Sequence, residues 1–141
     1  MNTDERSEVV LDTNVLVAAA LGDGPPYEIL SLVEEGAIVS VTSPAIVDEF
    51  EAVLVRDRLP FTDPQVDRLV SKFVSISRIV DRSATMTVVA DDPDDDKILE
   101  TAVSADVDRI VSGDSHLLDL ADWEKIAVVR PAPFLEQVRN E

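Results

Sequence analysis

The chain has 141 residues, 45% hydrophobic and 29% charged, with 29 acidic against 12 basic residues and a formal net charge of −17. It has no cysteine and a single histidine, His116, which excludes disulfides, thiolate metal sites and cysteine nucleophiles and leaves no ordinary zinc site. Metal chemistry, if present, falls to a hard ion bound through oxygen, Mg²⁺ or Mn²⁺.

Residues 9–11 form an apolar run after a polar lead, the pattern of a short buried strand, and the run ends at Asp12. Residues 14–21 are apolar and predict a helix, which Gly22 to Pro26 should break. A helical pattern resumes over residues 27–35, with Ile29, Leu30 and Val33 on one side and Gly36 placed for a C-cap. Residues 37–41 predict a second strand. Ser43-Pro44 then offers an N-cap and a proline at the first helical position. The apolar face of that helix is Ile46, Val47, Phe50, Val53 and Leu54, so Glu49 borders the face and Asp48 points away from it.

Thr62, Pro64 and Gln65 read as a capping box that opens a helix toward Phe73. Asp92-Pro93 repeats the cap-plus-proline signal before a helix with Ile98, Leu99, Ala102 and Val103 as its apolar side. Residues 109–112 and 126–129 predict two more strands, and residues 131–138 a closing helix. Strands alternating with helices give an α/β fold with a mainly parallel sheet, expected as one domain over 1–141 with its core at about 8–138. Sites in such sheets gather beyond the carboxyl ends of the strands. No apolar run is long enough for a membrane span and the polar start is no signal peptide, so a soluble, cytoplasmic protein is expected.

Four acidic positions carry the chemistry. Asp12 closes the first strand, although an aspartate there can also simply cap the next helix. Glu49 lies at the edge of a core-facing helix surface. Asp91, Asp92, Asp94, Asp95 and Asp96 crowd into six positions, where macrodipole stabilisation of an acidic first turn competes with mutual repulsion that a cation would offset. Extended backwards, the apolar face of the following helix passes through Asp95 and near Asp92, with Asp96 at its edge. Asp114 follows the strand predicted over residues 109–112, in a Ser-Gly-Asp-Ser turn.

In this order the acids and their flanking segments resemble a PIN domain. The likeness is nearest to the toxin-type PIN proteins of prokaryotic toxin–antitoxin systems. Its carriers are Val9-Val10-Leu11-Asp12-Thr13-Asn14-Val15-Leu16, Ser43-Pro44 with Glu49, Asp92-Pro93-Asp94-Asp95-Asp96-Lys97-Ile98-Leu99-Glu100, and Ile110-Val111-Ser112-Gly113-Asp114. The resemblance implies a three-layer α/β/α sandwich and a metal-dependent ribonuclease acting on single-stranded RNA. It makes Asp12, Glu49, Asp95 and Asp114 the catalytic, metal-binding acids, with Asp92 and Asp96 as alternatives for the third and Asn14 and Ser112 as polar neighbours. It also implies one or two Mg²⁺ or Mn²⁺ ions, a small antitoxin partner and a homodimer. Lys97, Arg56 and Arg58 are the cations nearest these motifs for RNA phosphates.

Two other readings share these residues. A phosphatase-like metal hydrolase would use Asp12 but wants a second acid at position 14, which is Asn14. A PIN-like module that only binds RNA or protein would not need all four acids. The charge of −17 points to a halophilic source, where screening lengths shrink to about 3 Å at 1 M salt and long-range repulsion of RNA matters little; a basic partner is the competing explanation.

Overall fold

A computed structural model of the chain describes residues 7–22, 24–56, 59–81, 93–118 and 126–140, with the backbone alone for residues 93–96, 115 and 116. Five parallel strands form one sheet: β1 (Ser7–Leu11), β2 (Ile38–Thr42), β3 (Ser77–Ile79), β4 (Arg109–Val111) and β5 (Ala127–Val129), in the order β3-β2-β1-β4-β5. Around it run α1 (Thr13–Ala20), α2 (Gly24–Glu34), α3 (Pro44–Arg56), α4 (Asp63–Ser75), α5 (Pro93–Ser104), the single turn α6 (Ser115–Leu118) and α7 (Pro131–Arg139). No helix among the described residues is long and apolar enough to cross a membrane.

The central strand explains its own sequence. Val9, Val10 and Leu11 are all buried, because a parallel strand covered on both faces has no polar side to alternate with. Right-handed crossovers send α1 to α4 to one face of the sheet and the returning α5 to the other. The contacts agree: α1 meets α2 and α3, α3 meets α4, and α7 meets α2, whereas α5 lies against β1, β2 and β4. The result is the three-layer α/β/α sandwich. The chain leaves β1 toward β2 on one side and later returns to β4 on the other. In open α/β sheets such a reversal, here at the carboxyl ends of β1 and β4, is where a crevice forms.

Local signals act where the sequence places them. Gly36 has φ +82°, its N–H reaches the Val33 carbonyl at 3.0 Å, and the Ala37 N–H reaches the Leu32 carbonyl at 2.9 Å. This is the double closure of a left-handed helix end. The Thr62 hydroxyl accepts from the Gln65 N–H at 3.3 Å, and the Thr62 N–H donates to Gln65 Oε1 at 2.8 Å, completing the capping box. The expected break at Gly22 to Pro26 is shorter than predicted. α2 already begins at Gly24, since prolines in a first turn lack only an N–H that the helix would leave unbonded.

Two elements depart from the sequence reading. β3 was not anticipated: Ser77, Arg78 and Ile79 form a three-residue edge strand with no apolar run to betray it. On α5, Ile98, Leu99 and Ala102 are buried as predicted, but Val103 is 36% exposed while Glu100 and Thr101 are buried. α5 touches both the sheet and α3, so a single apolar stripe does not describe it. Thr62→Ala removes the hydroxyl that accepts from the Gln65 N–H, leaves the backbone bond to Gln65 Oε1 in place, and should cost about 1 kcal/mol, read as a lower urea midpoint with an unchanged slope.

Candidate metal centre

Two neighbouring strands deliver the first pair of site residues. β1 and β4 register Val10 with Ile110 and Leu11 with Val111, and the Asp12 N–H extends the ladder to the Val111 carbonyl at 3.0 Å. The Ser112 N–H likewise reaches the Val129 carbonyl at 3.0 Å, fixing the start of the turn that carries Asp114. Residues far apart in the chain therefore meet. The Ser112 hydroxyl donates to Asp12 Oδ2 at 2.7 Å and accepts from the Asp114 N–H at 2.9 Å.

The competition between capping and site chemistry at Asp12 is resolved by its side chain. Asp12 occupies the N-cap position of α1, and its carbonyl accepts from the Val15 and Leu16 N–H groups at 2.9 and 3.2 Å. Its carboxylate makes no capping bond and turns to Ser112. Asp12 is only 5% exposed. Burial pushes its pKa above the ordinary carboxylate value; the Ser112 hydroxyl opposes that rise, Asp114 adds to it, the Thr13 N–H opposes it and Glu49 adds to it. Asp114 and Glu49 thus lie close enough to Asp12 for their charges to be felt there.

Glu49 reaches the same place from α3. It is partly buried at the margin of a face formed by Ile46, Phe50, Val53 and Leu54, while Asp48 is exposed, as the helical spacing requires. Thr13, the residue after Asp12, donates its hydroxyl to Glu49 Oε1 at 2.5 Å. Lys97 of α5 places Nζ 3.0 Å from Glu49 Oε2, with side-chain exposures of 15% for Lys97 and 23% for Glu49. One turn further along α5, the Thr101 hydroxyl bonds the Lys97 carbonyl at 2.7 Å and the buried Ser43 hydroxyl at 2.8 Å. This stitches the Lys97 turn to the start of the helix that carries Glu49.

Of the predicted residues, Asp12, Glu49, Asp114 and Ser112 are brought together. Asn14 is exposed on the first turn of α1 and makes no side-chain hydrogen bond among the described residues. Asp92 and the side chains of Asp95 and Asp96 lie outside the described residues, as do Arg58 and the His116 side chain. Arg56 is exposed near the end of α3, and Lys97, expected to meet RNA phosphate, is engaged with Glu49. Sequence reasoning gave no role to Thr13, Thr101 or Ser43 at the site. Thr13 and Thr101 each act through a partner tens of residues away, a separation that carries no local signature.

The donors are carboxylates and hydroxyls, a set suited to a hard divalent cation and unsuited to a soft one. The repulsion that raises Asp12 is what such a cation relieves. Among the described residues, no three acidic side chains are already set around one point.

Comparison with known proteins shows the family and the fold. A family model described as PIN domain matches residues 8–116, and the chain belongs to the PIN-domain family. PIN domains are typically nucleases and generally bind divalent metals. The chain is 30% identical to the uncharacterized protein MJ1680 of Methanocaldococcus jannaschii, over 92% of this chain and 90% of that one. Its fold is similar to VapBC2 from Rickettsia felis, solved bound to a DNA fragment from their promoter. That match has a TM-score of 0.60 and 14% identity, over 87% of this chain and 98% of that one. PAE2754 from Pyrobaculum aerophilum matches with a TM-score of 0.59 and 15% identity, over 99% of this chain and all of that one (100%). These sources give the halophilic origin expected from the charge no support, since an acidic composition is not specific to salt adaptation.

Because the folded pKa of Asp12 is raised, the native state holds its proton where the unfolded chain has lost it. Stability therefore falls as pH climbs from the ordinary carboxylate range through the raised value, and the cost is fully present above it. In chelator at pH 7, Asp12→Asn should melt above wild type, with the gap closing as the pH falls toward about 4. Melting curves across that range check the sign.

Proposed function

We propose that this PIN-domain protein is a metal-dependent endoribonuclease that hydrolyses phosphodiester bonds of single-stranded RNA. The observation that carries the reading is the hydrogen-bonded chain at the ends of β1 and β4, in which Ser112 joins Asp12 to the Asp114 turn and Thr13, the residue after Asp12, grips Glu49 of α3. Mutually repelling carboxylates in a partly closed crevice call for a cation, and the family context favours Mg²⁺ or Mn²⁺ held by Asp12, Glu49, Asp114 and Asp95. When bound, such an ion makes water nucleophilic and stabilises charge that builds on the phosphate.

The chain's own groups prepare that chemistry. Ser112 holds Asp12 through Oδ2. Thr13 fixes one oxygen of Glu49 and so orients the other. The Asp114 N–H is spent on Ser112, which pins the turn and with it the Asp114 carboxylate. Carboxylates positioned by the fold rather than by the ligand lower the cost of organising the site at each turnover.

In this reading the protein is the cytoplasmic toxin of a toxin–antitoxin pair. The resemblance of its motifs and its likeness in fold to VapBC2 support that pairing. A small antitoxin would neutralise it most directly by inserting a basic side chain among the carboxylates. A homodimer belongs to the same reading. The rival phosphatase-like chemistry lacks its acid at position 14, where Asn14 is exposed.

Labelled single-stranded RNA and a phosphate monoester, each offered with Mn²⁺ or with chelator, separate the alternatives. The RNA should be cut only with metal, the monoester should survive, and Asp12→Asn should lower RNA cleavage by on the order of 100-fold, about 2.7 kcal/mol in the barrier. Equal cleavage by Asp12→Asn would remove the site from the reaction. Because a net charge of −17 offers RNA little long-range attraction, RNA binding should weaken with salt less steeply than for a basic nuclease.

A further inference from the structure

We infer that Lys97 is a built-in counter-ion: it occupies Oε2 of Glu49, and a divalent cation taking that oxygen must displace it to load. The inference rests on the proposed metal site and deepens it. The two oxygens of Glu49 have different partners. Oε1 accepts from the neutral Thr13 hydroxyl at 2.5 Å, whereas Oε2 faces the Lys97 ammonium at 3.0 Å. A divalent cation can take the place of an ammonium without leaving the carboxylate uncompensated, and it need not disturb the Thr13 bond. Oε2 is therefore the oxygen at which exchange occurs.

Both partners are mostly out of water, at 15% and 23% side-chain exposure, so each needs a counter-charge in the metal-free protein. Lys97 supplies it while Asp12 and Asp114 add negative charge nearby. A divalent ion held at Oε2 would repel the ammonium paired with that oxygen, and such repulsion is weakly screened in a partly buried site. The backbone of Lys97 cannot retreat, since Thr101 bonds both the Lys97 carbonyl and Ser43. Its four-carbon stem can swing, and that is the motion left to it.

Two consequences follow. Lys97 keeps Glu49 in its bound orientation before any metal arrives, acting as a positioning residue. It also competes with the ion, which sets a threshold of metal concentration below which the site stays closed by its own lysine.

The test reads the lysine itself. Three lysines are present, and Lys72, ion-paired with Glu34 on the surface, serves as an internal reference. Wild-type protein is acylated with an amine-reactive acetyl ester in chelator and in saturating Mn²⁺, and modification is quantified by peptide mass spectrometry. Calorimetry measures Mn²⁺ binding by wild type, Lys97→Met and Lys97→Arg. Mn²⁺ should raise acylation of Lys97 roughly fivefold relative to Lys72, the scale set by breaking one ion pair. Lys97→Met should bind Mn²⁺ roughly fivefold tighter, and Lys97→Arg, which keeps the charge, should stay near wild type. If Mn²⁺ binds and Lys97 stays as protected as in chelator, displacement is wrong and the metal site stands. If Lys97→Met binds Mn²⁺ no more tightly than wild type, competition is wrong. If wild type binds no Mn²⁺, the metal site and the inference fall together.

Discussion

Folding carries the Asp12 carboxylate out of water and sets it near Asp114 and Glu49, and each of those changes works against its charge. Only the Ser112 hydroxyl and the Thr13 N–H act in its favour. The remaining free energy has to come from the scaffold. β1 supplies it by burying Val9, Val10 and Leu11 completely or nearly so between two helical layers, with β2 and β4 bonded on either side. A group left in this state by an otherwise well-satisfied fold marks a place where stability has yielded to function. The strand reversal at the carboxyl ends of β1 and β4 is where this topology gathers such groups.

Glu49 shows how the rest of the fold is tied to that strand end. Its helix starts at a buried serine, Ser43, which bonds Thr101 of α5, and its carboxylate is gripped by the residue after Asp12 and by a lysine of α5. Elements from opposite faces of the sheet thus meet over the end of β1. The Glu49–Lys97 ion pair ties α3 to α5, while Asp12 and Ser112 sit at the ends of sheet strands.

Much of this was legible in the sequence, for identifiable reasons. Strand ends are easy to find when a β-branched run stops at an aspartate, which is why Asp12 and Asp114 stood out. Glu49 was placed by helical spacing, since its neighbours Ile46, Phe50 and Leu54 define the buried face. Capping at Gly36 and Thr62 was legible because those signals are local. β3 was not, because a polar edge strand takes its pairing from β2 and has no pattern of its own. Nor was the two-sided burial of α5, which depends on what packs against it. The roles of Thr13, Thr101 and Lys97 belong to tertiary structure, since no spacing rule links a threonine hydroxyl to a glutamate 36 residues on.

The acidity of the whole chain lacks the halophilic support first expected for it, and its local consequence at the site is clearer than its global cause. In the proposed function, a divalent cation offsets the negative charge around Asp12. The most direct measurement is a crystal structure of the protein soaked in Mn²⁺, read by anomalous scattering. The account predicts a peak between the ends of β1 and β4, about 2.1 Å from carboxylate oxygens of Asp12 and of at least one of Glu49 and Asp114. A bound ion that sits elsewhere and leaves Asp12 bonded only to Ser112 would contradict it.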